Sequence, residues 1–287
     1  MSDKEFFQVE IFPKVSNEKI STSSFIFEDH KFFVVPQKSS QFSIKAGRGE
    51  TTGKIMVLDL YIQKDDENFQ PWILAERACD IISMASKNHI SCFSVGLNEY
   101  TSMKSSGFGI LKGKNPPVET ENLPEDLFPA ELSGKIENSR IKDRLLSAIH
   151  LSRLSKIKSL HHITESLVDA VCALEAIYLD INSKNGHHDK PDTKIITSTT
   201  ININDKEEVL NWFVREYYQE PTVEHFLLTM KPYDKRSAYL HRGKLVEPED
   251  NGGYAQVINL GAAEKLHDYN ILNQVLYHSL LNFIQTI

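Results

Sequence analysis

Cysteine is scarce in this sequence, and the few that occur are widely separated. Cys79, Cys92 and Cys172 are the only cysteines among 287 residues, and they form no Cys-x-x-Cys pair. The usual thiolate zinc site is therefore excluded, and no disulfide framework is evident. We expect a chain that works in a reducing interior.

Long apolar runs are also lacking. No uninterrupted apolar stretch approaches the roughly 18 residues that suffice for a membrane-spanning helix. The first residues have no cationic start followed by an apolar segment, as a secretory signal would. The sequence therefore predicts a soluble, cytoplasmic protein with no membrane partner.

Positive charge is in deficit, since 32 lysines and arginines stand against 39 aspartates and glutamates, for a formal net charge of -7. This balance argues against binding nucleic acid over the whole surface, but it allows a local basic site. The chain has neither a Gly-x4-Gly-Lys-Ser/Thr loop nor a Gly-x-Ser-x-Gly turn, so nothing indicates an NTPase or a serine hydrolase. No pattern indicates a cofactor or a metal ion.

The first part of the chain has the composition of a β-rich domain. Clusters of β-branched and aromatic residues, separated by turn formers, predict strands within residues 6–62. Helical spacing predicts a helix over 72–86, and strands are expected again at 92–95 and 107–111. Residues 112–129 contain four prolines and several acids, which predicts an irregular connector. We therefore predict a β-rich recognition or regulatory domain over residues 1–132.

The rest of the chain is predicted to be helical. Two apolar series step by three or four residues, as one buried face of a long helix does. A polar loop is expected over 182–203, with a short extended segment at 194–197, followed by helices at 207–218 and 223–230. The fold class is thus α+β, with an all-α helical bundle over residues 133–287. The two series are Leu160, Ile163, Leu167, Val171, Leu174 and Tyr178, and Leu266, Tyr269, Leu272, Leu276, Leu280 and Phe283.

One short helix near the end of the chain carries an arginine and a histidine in a cationic setting. Pro232 suits its first turn and Gly243 suits the position just past its end. Arg236 keeps its charge at any working pH while His241 titrates near neutrality, so the two can stabilise a phosphorane and move protons without a metal. Such chemistry fits RNA cleavage. The helix also offers several cations to a phosphate backbone: Lys231, Lys235, Arg242 and Lys244, against the single acid Asp234.

Geometry leaves two readings of this pair open. Residues five apart on a helix differ by roughly 140°, so Arg236 and His241 share no narrow face and would converge more easily in a dimer. The ordinary alternative is that Arg236 pairs with a carboxylate and His241 is stabilised by the helix dipole. Glu175, beside an apolar ridge, needs a cationic partner, and Arg236 is the natural candidate. A basic stretch over 135–158 either guides RNA or forms a solvated helix face.

The residues around this pair resemble a known family. Tyr233 to Gly243, read as YDKRSAYLHRG, is similar to the Tyr-Asp-x-Arg-Ser-x-x-x-His-Gly stretch of HEPN domains, particularly the ApeA-like branch. Residues 167–177 are similar to that branch's long helix, which ends in Leu-Glu-Ala-Leu. The resemblance covers roughly the C-terminal half, and one departure is Arg242, which separates His241 from the glycine.

The resemblance implies a helical bundle that dimerises and acts as a metal-independent endoribonuclease, with RNA as substrate, in a toxin or antiphage defence system. Many members instead serve in binding or assembly, so a noncatalytic assembly or sensor protein that binds RNA or a partner protein is the alternative. The first domain would then recognise a trigger or regulatory protein. The implied catalytic residues are Arg236 and His241, the supporting ones Glu175, Ser237, Tyr233 and Asp234, and the candidates for contacting RNA Lys235, Arg242 and Lys244.

Overall fold

The computed structural model has a mixed α+β fold in which helices hold more residues than strands. The chain divides into two compact units, Met1–Asn138 and Ser139–Ile287. The predicted α+β class is confirmed at this level. The structure describes residues 6–13, 23–36, 40–46, 49–55, 58–63, 70–85, 92–93, 111–112, 127–158, 162–180, 190–220, 223–245 and 260–287.

The first unit contains antiparallel strands. They are β1 (Phe6–Pro13), β2 (Ser23–Phe27), β3 (His30–Pro36), β4 (Ser40–Ala46), β5 (Gly49–Ile55), β6 (Leu58–Gln63), β7 (Cys92–Phe93) and β8 (Leu111–Lys112). The main sheet has the order β2-β3-β6-β1-β7, with β8 also paired to β1, and β4 pairs with β5 separately. The turn between β2 and β3 has positive φ at both Glu28 and Asp29, which suits the twist of a two-residue hairpin.

Two helices accompany the sheet, α1 (Pro71–Ala85) and α2 (Leu127–Asn138). The helix predicted at 72–86 is confirmed by α1, whose Ala75, Ala78 and Ile81 are fully buried. In α2, the Ser133 hydroxyl donates to the carbonyl of Ile26 on β2. This contact keeps α2 with the first unit, so the division falls after Asn138 rather than at the predicted 132.

The predicted connector is wrong at both of its described ends. Lys112 belongs to β8, and α2 already begins at Leu127 and includes Pro129. Proline is tolerated there because the first N–H groups of a helix have no intrahelical acceptor, so its missing donor breaks no bond. The predicted strands at 94–95 and 107–110 lie outside the described residues.

The second unit is built from helices α3 (Lys142–Lys158), α4 (Ile163–Tyr178), α5 (Lys206–Tyr217), α6 (Val223–Met230), α7 (Pro232–Arg242) and α8 (Leu260–Thr286). Helix α4 packs against α3, α7 and α8, and α5 packs against α7 and α8. Leu167, Val171 and Leu174 of α4 are buried, as are Leu272 and Leu280 of α8. The two predicted amphipathic series are confirmed where they are described, and they form the core of this unit.

The segment between α4 and α5 differs from its prediction. The strands lie at β9 (Leu179–Asp180) and β10 (Lys190–Pro191), which pair with each other, and not at 194–197. There the N–H groups of Ile195 and Ile196 both donate to the Asp192 carbonyl, at 2.9 and 3.0 Å. The chain therefore turns instead of extending. Within the described residues, no helix is long and apolar enough to cross a membrane.

Candidate functional site

Helix α7 carries both Arg236 and His241, and residues of its own sequence set its two ends. Pro232 occupies the first position, where its missing N–H costs no bond. Gly243 ends the helix in the left-handed conformation at φ 64°, and its N–H donates to the Tyr239 carbonyl at 2.8 Å. These bounds confirm the prediction. Arg242 is accommodated as the last helical residue, so it displaces neither His241 from the helix nor Gly243 from the cap.

His241 is exposed and lines an open groove of about 640 Å³ beside α7. Ser237 lines the same groove one turn earlier. The groove is cationic: Lys231, Lys235, Arg242 and Lys244 line it together with one acid, Asp234. The three residues predicted to contact RNA therefore lie around the predicted catalytic histidine. Lys235, which lines the groove, also contacts α8, since its Nζ lies 5.6 Å from the centre of the Tyr269 ring.

Arg236 lies on a different side of α7, against α4. Its Nη2 is 2.8 Å from Glu175 Oε2, and the two side chains are only 19% and 7% exposed. The predicted pairing of Arg236 with Glu175 is confirmed. The rotation of roughly 140° between positions five apart has the expected consequence, because His241 lines the groove and Arg236 is not among its lining residues. The groove therefore contains His241 without Arg236.

The surroundings of Arg236 are polar but partly closed to water. Burial alone would lower the pKa of Arg236, but the charge of Glu175 and the thiol of Cys172 outweigh it, so the pKa stays above its ordinary value. Burial raises the pKa of Cys172, and the charge of Glu175 raises it further. The guanidinium is thus a permanent cation held between two groups of α4.

The first turn of α7 is fixed by a residue of α5. Glu207 Oε2 accepts a hydrogen bond from the N–H of Asp234 at 3.1 Å. The Tyr233 ring lies 5.6 Å from Arg236 Cζ. Asp234 therefore supports α7 through its amide, and Tyr233 through the contact of its ring with Arg236.

Four cations of the basic stretch over 135–158 are engaged within the protein. Arg144 donates from Nε to the carbonyl of Ala176 and from Nη1 to Asp192, both at 2.9 Å, and Nη2 donates to the carbonyl of Ile177. Lys158 Nζ lies 2.8 Å from Asp169 Oδ2. Arg153 is buried, and Lys156 Nζ lies over the Tyr277 ring. These four cations stabilise the unit, which corrects both the RNA-guiding and the solvated-face interpretations for them.

Sequence reasoning missed three residues of this region: Glu207, Cys172 and Tyr178. Glu207 follows the helix cap Asp205, whose side chain accepts from the N–H of Glu207 at 3.0 Å, so it looks like an ordinary acid of a first turn. Tyr178 is fully buried, and burial with the nearby charge of Glu175 raises its pKa well above the ordinary value. Only the packing of α4, α5 and α7 reveals these neighbours.

Among the described residues, no group of three or more His, Cys, Asp or Glu side chains is arranged to hold a metal ion. In comparisons with family models, curated proteins and solved structures, no significant match to this chain was found.

Proposed function

We propose that this chain is an endoribonuclease of the HEPN type, cleaving RNA without a metal ion. The observation that carries the proposal is the cationic groove beside α7, in which His241 lies among Lys235, Arg242 and Lys244. A chain with a formal net charge of -7 has concentrated cations at one place, as binding to a phosphate backbone requires.

The proposed reaction uses the substrate's own 2′-hydroxyl as nucleophile. That oxygen attacks the adjacent phosphorus, His241 moves protons, and the bond to the 5′-oxygen breaks. The products are a 2′,3′-cyclic phosphate and a 5′-hydroxyl. Arg236 binds the negative charge that increases on the phosphoryl oxygens. DNA lacks the internal nucleophile and is not cleaved.

A second copy completes the site in this proposal. Arg236 and His241 lie on different sides of α7, so residues from two bundles are brought to one phosphate. Exposed apolar side chains on and beside this helix support such an interface. Leu228, Leu240 and Leu245 are 58%, 50% and 41% exposed.

One observation favours the alternative, a noncatalytic HEPN assembly or sensor protein that binds RNA or a partner protein. Arg236 is already engaged by Glu175 at 2.8 Å, and a buried ion pair of this kind fits a structural role. In that case the groove binds a ligand without cleaving it.

The test compares RNA cleavage by purified wild type, Arg236→Ala and His241→Ala in the presence of EDTA. Matched controls are Arg215→Ala and His162→Ala, which change an exposed arginine and an exposed histidine outside the groove. We expect wild type and controls to release cyclic phosphate ends, and both site variants to lose about 100-fold or more of the rate.

Unchanged cleavage in both site variants would contradict the proposal. If wild type, the two site variants and the two controls all bind RNA and none of them cleaves it, the alternative is favoured. A nuclease that is inactive when purified would also show no cleavage, and this case is tested separately by expressing the chain in cells. Toxicity that His241→Ala relieves and His162→Ala does not would support the nuclease.

A further inference from the structure

Glu207 supplies to α7 a cap that α7 does not supply for itself. The residue before the helix, Lys231, is left-handed at φ 44° and makes no side-chain cap. The first N–H groups of a helix have no intrahelical acceptor, and the carboxyl group of Glu207 accepts from one of them, that of Asp234, at 3.1 Å. A residue of α5 therefore closes the amino end of a different helix.

The capped turn leads directly to Arg236. The Tyr233 ring lies against the guanidinium, with 5.6 Å between the ring centre and Cζ. On its other side Arg236 meets Glu175 of α4. The direction of Arg236 thus depends on two carboxyl groups from two helices, one acting on the side chain and one on the backbone that carries it.

We propose that Glu207 is a positioning residue of this site: by capping Asp234 it fixes the first turn of α7 against α5, and so fixes where Arg236 is presented. The inference rests on the proposed function, in which Arg236 binds the phosphoryl charge. Glu207 touches no substrate and acts only through α7. Misplacing a charge-binding group by about 1 Å costs up to about 100-fold in rate.

The electrostatics of Glu207 give this role a pH signature. Burial raises the pKa of Glu207 to about 7, against the hydrogen bond from the amide of Asp234. The titratable groups that face it are Asp205 before α5, Tyr233 and Asp234 on α7, and Tyr178 on α4. Ionisation strengthens the hydrogen bond itself, because charged acceptors are stronger than neutral ones, but the desolvation of the charge outweighs this gain and raises the pKa.

The experiment measures kcat and KM for RNA between about pH 6 and 8 in wild type, Glu207→Ala and Glu207→Gln. We expect Glu207→Ala to lower kcat about 10-fold or more while KM changes little. Glutamine keeps an oxygen acceptor but cannot ionise, so Glu207→Gln should retain most of the kcat and lose one titration near neutral pH. The matched control is the neighbouring acid, Glu208→Ala and Glu208→Gln, with both parameters unchanged.

Hydrogen exchange of the α7 amides gives a readout independent of cleavage. Exchange at the Asp234 amide should be faster in Glu207→Ala than in wild type or Glu208→Ala. If Glu207→Ala does not fold, the pH profile of Glu207→Gln decides, and a profile identical to that of wild type overturns the positioning role. The positioning role is also overturned if wild type cleaves RNA and Glu207→Ala cleaves it equally well. Absence of cleavage by wild type overturns the proposed function, and the positioning role with it.

Discussion

The Arg236 guanidinium lies 2.8 Å from the Glu175 carboxylate, Nη2 to Oε2, and this pair ties α7 to α4. Both side chains are mostly buried, so the pair is shielded from the solvent screening that weakens surface ion pairs. The same contact packs α7 against α4 and orients Arg236, the proposed phosphate-binding residue. Experiments can distinguish the structural role from the functional one.

Replacing one partner of the pair should be costly. Glu175→Leu is expected to lower the free energy of unfolding by about 3 kcal/mol, because Arg236 is left partly buried without its counter-charge. Glu175→Leu with Arg236→Met should cost less than the sum of the single changes, as measured by urea unfolding. The control on the same helix is Glu165→Leu, whose pair with Lys158 is longer and more exposed and should matter by under about 1 kcal/mol. Additive single effects would contradict a coupled pair.

A site shared between two copies predicts complementation. Arg236→Ala and His241→Ala are each expected to be inactive, and a mixture equilibrated under conditions that exchange subunits should regain about a quarter of wild-type cleavage, since half of the dimers then hold one intact site. Recovery fails if both residues act from the same copy. Measuring the mass in solution before and after mixing shows that exchange occurred.

The stability of the second unit should depend on the ionisation of Glu207. Its pKa is about 7 in the folded chain and about 4.5 ordinarily, so the folded state holds the proton more tightly. The contribution of Glu207 to stability is therefore fully present below pH 4.5 and is lost as the pH rises through 7. Glu207→Gln should remove this decline and be more stable than wild type near pH 8 by about 1–2 kcal/mol, after allowance for partial exposure. Thermal unfolding across this range checks the expectation, with Glu208→Gln as the control. A wild-type slope retained in Glu207→Gln would assign the titration to another group.

Arg144 is expected to be irreplaceable by lysine. Its guanidinium binds two carbonyls at the end of α4 and the Asp192 carboxylate, a geometry that an ammonium group cannot reproduce. Burial alone would raise the pKa of Asp192, but the bonds from Arg144 and from the Lys194 amide hold it below its ordinary value. Arg144→Lys should lower the free energy of unfolding by about 2–3 kcal/mol. Arg140→Lys, at an exposed position, should be neutral in the same urea titration.

Local signals in the sequence predicted the helix ends that matter for the site. Pro232 and Gly243 act on the backbone at their own positions, so α7 could be bounded without knowing what it packs against. The spacing of Leu167, Val171 and Leu174 predicted the buried face of α4 for the same reason.

Long-range contacts escaped prediction. Glu207 caps Asp234 only because α5 and α7 meet, and Arg144 finds its acceptors at the end of α4 and at Asp192. The start of α2 was missed because prolines count against helix in a composition average, whereas a single Pro129 in a first turn does not. These contacts depend on where the partner residues lie in the fold, which the types of residue in the sequence do not reveal.

Cys172 lies beside the pair that joins α7 to α4, and its thiol is largely protonated at neutral pH because burial raises its pKa. Alkylating reagents attack the thiolate, so this sulfur reacts slowly while the two helices remain in contact. Departure of α7 would bring water and reagent to it. A faster alkylation of Cys172 would therefore report that its contact with the helix that carries Arg236 has been lost.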